Sequence, residues 1–234
     1  MSYQHYFKSG QQLLIKIKKS SPAEEHTELM TAFVISLERD ILIISLSHPY
    51  GDNAANQYPL NDELTFEITT ESMGLGVRVE ATFIEVIDGT KFALKFCTGI
   101  EMFQRRLHKR FDCNLGIRFN RSAKTLQIMR GIWEKNIEVL RSPEAPLVYD
   151  NFKKSHVNIS SEGIRFTIKA PASQGDICLI LINLNDSKPP ICTITEIVWT
   201  CMLDNEVALT AGMRFISILS ADQTRIEEFI KSRS

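Results

Sequence analysis

The sequence contains no long hydrophobic run. Its longest nearly unbroken apolar stretch, residues 177–184, covers eight residues and includes Asn183, whereas a helix that crosses a bilayer needs about 20. The first ten residues lack the basic start and apolar centre of a secretory signal. We therefore expect a cytoplasmic protein without membrane insertion.

Cysteine is scarce, and its pattern is unsuited to disulfides or metal. The five cysteines are odd in number, and no two form a Cys-x-x-Cys pair. In a cytoplasmic chain such residues are typically reduced thiols. The five histidines are scattered and have no carboxylate or cysteine partner at a spacing typical of metal ligands. We expect no metal site.

The common signatures of enzymes are also missing. Residues 74–76, Gly-Leu-Gly, lack the third glycine of a dinucleotide-binding loop, and no P-loop, HExxH or GxSxG motif occurs. The sequence therefore predicts a protein that is not an enzyme and has no cofactor. With 27 basic and 28 acidic residues the formal charge is -1, so any site for an anion must be local.

The first hundred residues show the alternation and turn signals of short β-strands. Residues 31–37 and 41–46 flank the polar break 38–40, and residues 77–83 alternate until the phase slips at Ile84, where we expect a bulge. Asp88-Gly89 then precedes a second alternating run. We predict an antiparallel β-barrel or sandwich from about residue 10 to 98.

A basic stretch, QRRLHKR at residues 104–110, separates the two halves of the chain. We place an N-terminal domain at 1–103 and a second domain at 104–234, with 104–110 as a ligand-binding linker and an insertion within 121–155. The second half is also mainly β. Residues 122–140 have the apolar spacing of a helix, and a Ser220 to Gln223 capping box predicts a short C-terminal helix.

Two groups of residues in the second half carry binding chemistry. Arg106 and Arg110 are four apart, so they lie on one face of a helix or a strand, and guanidinium groups grip phosphate, pair with guanine and stack on purines. Arg105 precedes them. Asn158 and Ser160 lie on the same side of a strand, Gly163 allows a turn or close approach, and Arg165 follows. These patterns are also compatible with a solvated linker and an ordinary strand entry.

The order of these elements resembles a known family. Arg106-xxx-Arg110, Asn158-x-Ser160-xx-Gly163, Val198-Trp199, Gly212-xx-Phe215 and a closing helix are similar to the PilZ domain, a bacterial receptor for cyclic diguanylate (c-di-GMP). The β-rich first half resembles the N-terminal domain of flagellar-brake (YcgR-like) PilZ proteins. The resemblance implies a mainly β fold with two antiparallel β-barrels in tandem and a short C-terminal helix.

The resemblance also implies a function and a set of site residues. In this family the linker arginines clamp the dinucleotide, which assigns that role to Arg106 and Arg110. The residue before the motif, Arg105, influences whether one or two stacked ligands bind and favours two. The remaining implied contacts lie in the second domain and are Asn158, Ser160, Gly163 and Arg165. The expected action is a ligand-driven change in domain arrangement that regulates a downstream protein, such as a flagellar motor component, in motility, biofilm or virulence control.

Three matters stay open at this point. The chain could instead be a single-stranded nucleic-acid-binding β-barrel protein, although the net charge of -1 argues against it. It could also be a flavin-binding reductase-like barrel. Homodimerisation is plausible from the resemblance to multi-domain PilZ proteins, but no sequence feature indicates it or identifies the downstream partner.

Overall fold

The computed structural model describes residues 3–18, 26–49, 64–104, 108–121, 125–142, 151–203 and 207–233. The chain divides into two compact units. The first comprises residues 1–24 and 28–107, and the second comprises residues 25–27 and 108–234.

The first unit is a closed antiparallel barrel preceded by a short 3-10 turn at Tyr3–His5. Its strands are β1 (Gln12–Lys18), β2 (His26–Glu38), β3 (Ile41–Leu46), β4 (Thr65–Ser72), β5 (Leu75–Val86) and β6 (Lys91–Phe96). They pair in the order β1-β4-β5-β6-β3-β2, and the pairing of β1 with β2 closes the ring. A three-residue strand, β7 (Glu101–Phe103), pairs with β5 outside this ring.

Local sequence signals explain the hairpins of this barrel. β2 and β3 pair antiparallel around the predicted turn, in which Arg39 takes a positive φ of 56°. The predicted bulge at Ile84 is confirmed, because the register between β5 and β6 shifts between Phe83 and Glu85. At the β5–β6 turn, the Asp88 carboxylate accepts hydrogen bonds from the Lys91 side chain and from the Thr90 and Lys91 amides. These bonds hold the pKa of Asp88 well below its usual range.

The second unit is also a closed antiparallel barrel. Its strands are β8 (Phe111–Arg121), β9 (Lys153–Ser160), β10 (Gly163–Lys169), β11 (Ile177–Asn183), β12 (Ile191–Met202) and β13 (Ala208–Leu219). The order is β13-β10-β9-β8-β11-β12, and β12 pairs with β13 to close the ring. Inward side chains such as Val157, Ile159 and Ile180, each 0% exposed, form the core. The prediction of a mainly β fold with two barrels in tandem is thus confirmed.

Two helices belong to the second unit. Helix α1 (Leu126–Arg141) fills most of the region predicted as helical between residues 122 and 140. The Thr125 side chain accepts a hydrogen bond from the Ile128 amide and caps its start. Leu126, Met129 and Trp133 form the buried face of α1, and the Trp133 indole N–H donates to the Cys192 carbonyl of β12 at 2.9 Å.

Helix α2 (Ser220–Lys231) is the predicted C-terminal helix, with Ile226, Phe229 and Ile230 buried. The predicted capping box is wrong. Leu219 occupies the N-cap position, and no side chain caps it. Gln223 instead donates from Nε2 to the Ser161 carbonyl at 3.0 Å. This bond fixes the helix against the barrel and does not close the first turn of the helix.

All five cysteines are free thiols, as the sequence predicts. Cys178 and Cys192 are buried in the second barrel, and burial raises the pKa of both to about 12. Their thiolates are therefore scarce at neutral pH. Among the helices in the described ranges, none is long and apolar enough to cross a membrane.

The contribution of helix α1 packing to stability can be tested by mutation. Trp133→Ala should lower the free energy of unfolding by about 3–5 kcal/mol, because it removes a buried aromatic side chain and leaves the Cys192 carbonyl without its donor. Val139→Ala on the same helix, where Val139 is 61% exposed, should change it by less than about 0.5 kcal/mol. Urea unfolding of both variants measures this, and equal effects would contradict the packing.

Candidate functional site

The Asn-x-Ser-xx-Gly motif forms the tight hairpin between β9 and β10. Asn158 pairs with Arg165, and Ser160 pairs with Gly163, so Ser161 and Glu162 make the two-residue turn. Val157 and Ile159 alternate with the motif residues and point into the core. Asn158 and Ser160 therefore lie on the outer face of the barrel.

Ser160 and Gly163 have structural roles in this hairpin. Ser160 is only 3% exposed, and its hydroxyl lies 3.5 Å from the Gly163 carbonyl oxygen. A Cβ on Gly163 would lie 2.4 Å from the carbonyl oxygen of Met213 on β13. Glycine is required here because the neighbouring backbone approaches closely, which the sequence alone could not distinguish from an approach by a ligand.

Five strands bring polar and aromatic groups into one row across the outer face. Asp112 on β8 is the register partner of Asn158 on β9, which is the partner of Arg165 on β10. Arg165 is the partner of Gly212 on β13, and Gly212 is the partner of Trp199 on β12. We call this set the register row: Asp112, Asn158, Arg165, Gly212 and Trp199. At about 4.8 Å between neighbouring strands, the row follows about 19 Å of the curved barrel wall and crosses five of the six strands of the ring.

Side-chain contacts tie the row together. The Arg165 guanidinium lies 3.3 Å from the Asp112 carboxylate and forms an ion pair across β9. At the other end, the Trp199 indole lies over Gly212, since a Cβ built on Gly212 would lie 2.2 Å from Nε1. Trp199 is 40% exposed. The row thus offers a carboxylate, an amide, a guanidinium and an aromatic ring to solvent.

The basic connector, residues 104–110, leads into this row. Arg110 is exposed and immediately precedes β8, two residues before Asp112. The other predicted clamp residue, Arg106, and the preceding Arg105 lie outside the described residues. Among the predicted site residues, the structure brings Asn158, Ser160, Gly163 and Arg165 to a single hairpin, with Arg110 entering at its neighbouring strand.

The sequence analysis did not select Asp112 and Trp199 as site residues. Asp112 lies two residues after Arg110 and so on the same side of a strand, and this spacing could have identified it as a site residue. Trp199 was noted only as part of a family pattern, and its place in the row depends on the pairing of β12 with β13. Within the described ranges, no group of three or more His, Cys, Asp or Glu side chains is arranged to hold a metal ion.

Comparisons with solved structures find weak likenesses along most of the chain. The Bacillus subtilis inhibitor of motility, MotI/DgrA, is 13% identical, with 97% of each chain covered and a TM-score of 0.38. The K. pneumonia MrkH–c-di-GMP complex is 13% identical over 93% of this chain and 85% of that chain, with a TM-score of 0.32. A tetrameric PilZ domain from Xanthomonas campestris is 14% identical over 54% of this chain and 88% of that chain, with a TM-score of 0.36.

No curated protein matches the chain. Two family models do. The N-terminal PilZ-like domain PilZN1 matches residues 6–104, and the PilZ domain matches residues 104–232. Since the second match alone covers more than half of its residues, the chain belongs to the PilZ family, with a PilZN1 domain followed by a PilZ domain.

Proposed function

We propose that this protein is a receptor for c-di-GMP that acts through a partner and catalyses no reaction. The observation that carries the proposal is the register row on a PilZ domain, with the basic connector entering beside it. The MrkH complex contains the same ligand.

The chemistry of the row matches the chemistry of the ligand. c-di-GMP has two phosphodiesters and two guanines, so it needs paired donors for oxygen, partners for base edges and flat surfaces for stacking. Arg110 and Arg165 supply guanidinium groups, Asn158 supplies a donor and an acceptor, and Trp199 supplies an aromatic surface. Asp112 can accept hydrogen bonds from the N–H groups of a guanine.

We assign the clamp to the connector. In this assignment Arg106 and Arg110 grip the ligand, and Arg105 favours a second, stacked ligand molecule. Ser160 and Gly163 complete the barrel surface beneath the ligand by keeping the β9–β10 hairpin tight. We place the boundary between the domains at residues 103 and 104, so that the clamp belongs to the PilZ domain, residues 104–234.

Because the connector joins the two domains, a ligand held by the connector and the row would restrict how the domains can be arranged. A coupling of about 1–3 kcal/mol would shift a two-state equilibrium by about fivefold to 150-fold. The arrangement favoured by the ligand then binds a downstream protein, of which a flagellar motor component is one candidate. The region 121–155, which includes α1, is available to modify access or to contact that partner.

Mutations in the clamp and the row should weaken binding. We expect Arg110→Ala and Asn158→Ala each to reduce affinity for c-di-GMP by about tenfold to a hundredfold, because each removes a charged or paired contact of about 1–3 kcal/mol. Isothermal titration calorimetry measures the loss, with Lys135→Ala on the exposed side of α1 as the control. Undiminished affinity in both site variants would reject the assignment.

Trp199 should report ligand binding by its fluorescence. Of the two tryptophans, Trp133 is on the buried face of α1 and Trp199 is exposed in the row, so c-di-GMP should alter the emission of Trp199. Trp199→Ala should weaken binding by about 1–3 kcal/mol through loss of stacking. Met202→Ala, an exposed neighbour on β12, serves as the control. Equal affinities for both variants would remove Trp199 from the site.

The change in domain arrangement can be measured without a known partner. Saturating c-di-GMP should change the radius of gyration of the wild-type protein in small-angle X-ray scattering. Arg110→Ala, at a ligand concentration that leaves it unbound, should show no change. If the wild type binds the ligand in calorimetry but its scattering curves superimpose, c-di-GMP binding is supported and the proposed rearrangement is rejected.

Gel-shift assays with single-stranded RNA and DNA test the nucleic-acid alternative.

A further inference from the structure

His108 lies at the centre of a polar cluster that the proposed ligand site does not use. Its Nδ1 is 2.9 Å from the Ser161 hydroxyl and 3.2 Å from the Glu227 carboxylate. Its Nε2 is 3.4 Å from the Glu162 carboxylate. Ser161 and Glu162 form the β9–β10 turn, and Glu227 is on α2. One histidine of the connector thus contacts both the motif hairpin and the C-terminal helix.

The protonation state of His108 decides whether these contacts are all favourable. A carboxylate can only accept hydrogen bonds, and a neutral imidazole has one N–H. In the neutral ring, one of the two nitrogens therefore presents a lone pair to a carboxylate. The imidazolium has two N–H groups and a positive charge, so it can donate toward both Glu162 and Glu227.

Acidic side chains from two elements face His108, and two basic residues follow it in sequence. Glu162 faces it from the hairpin turn, and Glu227 faces it from α2. On its own segment, Lys109 and Arg110 follow in sequence and carry charge of the same sign as the imidazolium. The Ser161 hydroxyl can either accept from Nδ1 or donate to it.

The position of His108 in the chain gives this cluster its significance. His108 is the middle residue between Arg106 and Arg110. Two residues of extended chain span at most about 7 Å. Any contact that fixes His108 on the hairpin turn therefore limits the positions available to Arg110 before the ligand arrives, which lowers the entropy lost on binding.

We propose that His108 is a positioning residue whose imidazolium fastens the connector to the β9–β10 turn and α2, and so makes c-di-GMP affinity depend on pH. The proposal rests on the proposed function for its ligand. The sign follows from the charge. The fastened state is favoured by the imidazolium form of His108 and weakened in the neutral form, so affinity should fall as pH rises.

The first experiment measures affinity by calorimetry at pH 6.0 and pH 8.0. Wild-type protein should bind c-di-GMP about two- to tenfold more tightly at pH 6.0, the range expected for two partly exposed ion pairs. His108→Gln, which keeps a hydrogen-bonding group but cannot become charged, should lose this pH dependence. Glu227→Gln should reduce it. His5→Gln, in an exposed position of the first unit, should behave as wild type. A wild-type pH profile in His108→Gln would overturn the proposal.

A second experiment tests the contact without any ligand. Trypsin cleaves after Lys109 and Arg110, so the rate of cleavage at these two bonds reports how firmly the segment around His108 is held. The ratio of the His108→Gln rate to the wild-type rate cancels the pH dependence of trypsin and should be about two- to tenfold larger at pH 6.0 than at pH 8.0. A constant ratio would overturn the proposal. Absence of c-di-GMP binding at either pH, with a ratio that changes as expected, would overturn only the proposed function.

Discussion

The antiparallel register of the second barrel is the constraint on which the site depends. Five strands from three separate parts of the chain place Asp112, Asn158, Arg165, Gly212 and Trp199 in register. A slip of one residue in any pair would turn its outer side chains into the core. The apolar residues that alternate with the row prevent such a slip, because exposing them would cost the burial that stabilises the barrel.

Two glycines allow this register without contributing side chains of their own. Gly163 lets the β13 backbone pass close to the hairpin, and Gly212 leaves room for the Trp199 indole. Both positions also lie in the pattern that resembles the PilZ family. Their presence is explained by packing, so the groups that remain for recognition are the polar and aromatic side chains around them. The glycines thus set the backbone conformation, and the neighbouring side chains supply the groups for recognition.

The connector adds chemistry that the barrel surface lacks. Arg110 enters next to the row, and His108 contacts the turn of the motif hairpin and helix α2. Gln223 on α2 also donates to the Ser161 carbonyl. The motif turn is therefore held from two sides, by the segment that precedes β8 and by the last helix. These contacts join the beginning and the end of the second unit at the candidate site.

Much of the fold could be predicted from the sequence because its signals are local. Alternation, the Asp88-Gly89 turn and the phase slip at Ile84 each depend on neighbouring residues, and the structure has strands, a turn and a bulge at these places. The capping box failed for the opposite reason, since the Gln223 side chain bonds to a residue distant in sequence.

The same distinction between local signals and contacts of distant residues applies to the site. The sequence by itself determined the two tandem β-rich halves, the basic connector and the motif that becomes the β9–β10 hairpin. Only the tertiary structure decided that Asp112 and Trp199 share a row with Asn158 and Arg165 and that His108 contacts Glu162 and Glu227. The physical reason is that strand pairing between distant segments is set by closing the barrel around its core, and no local pattern encodes that register.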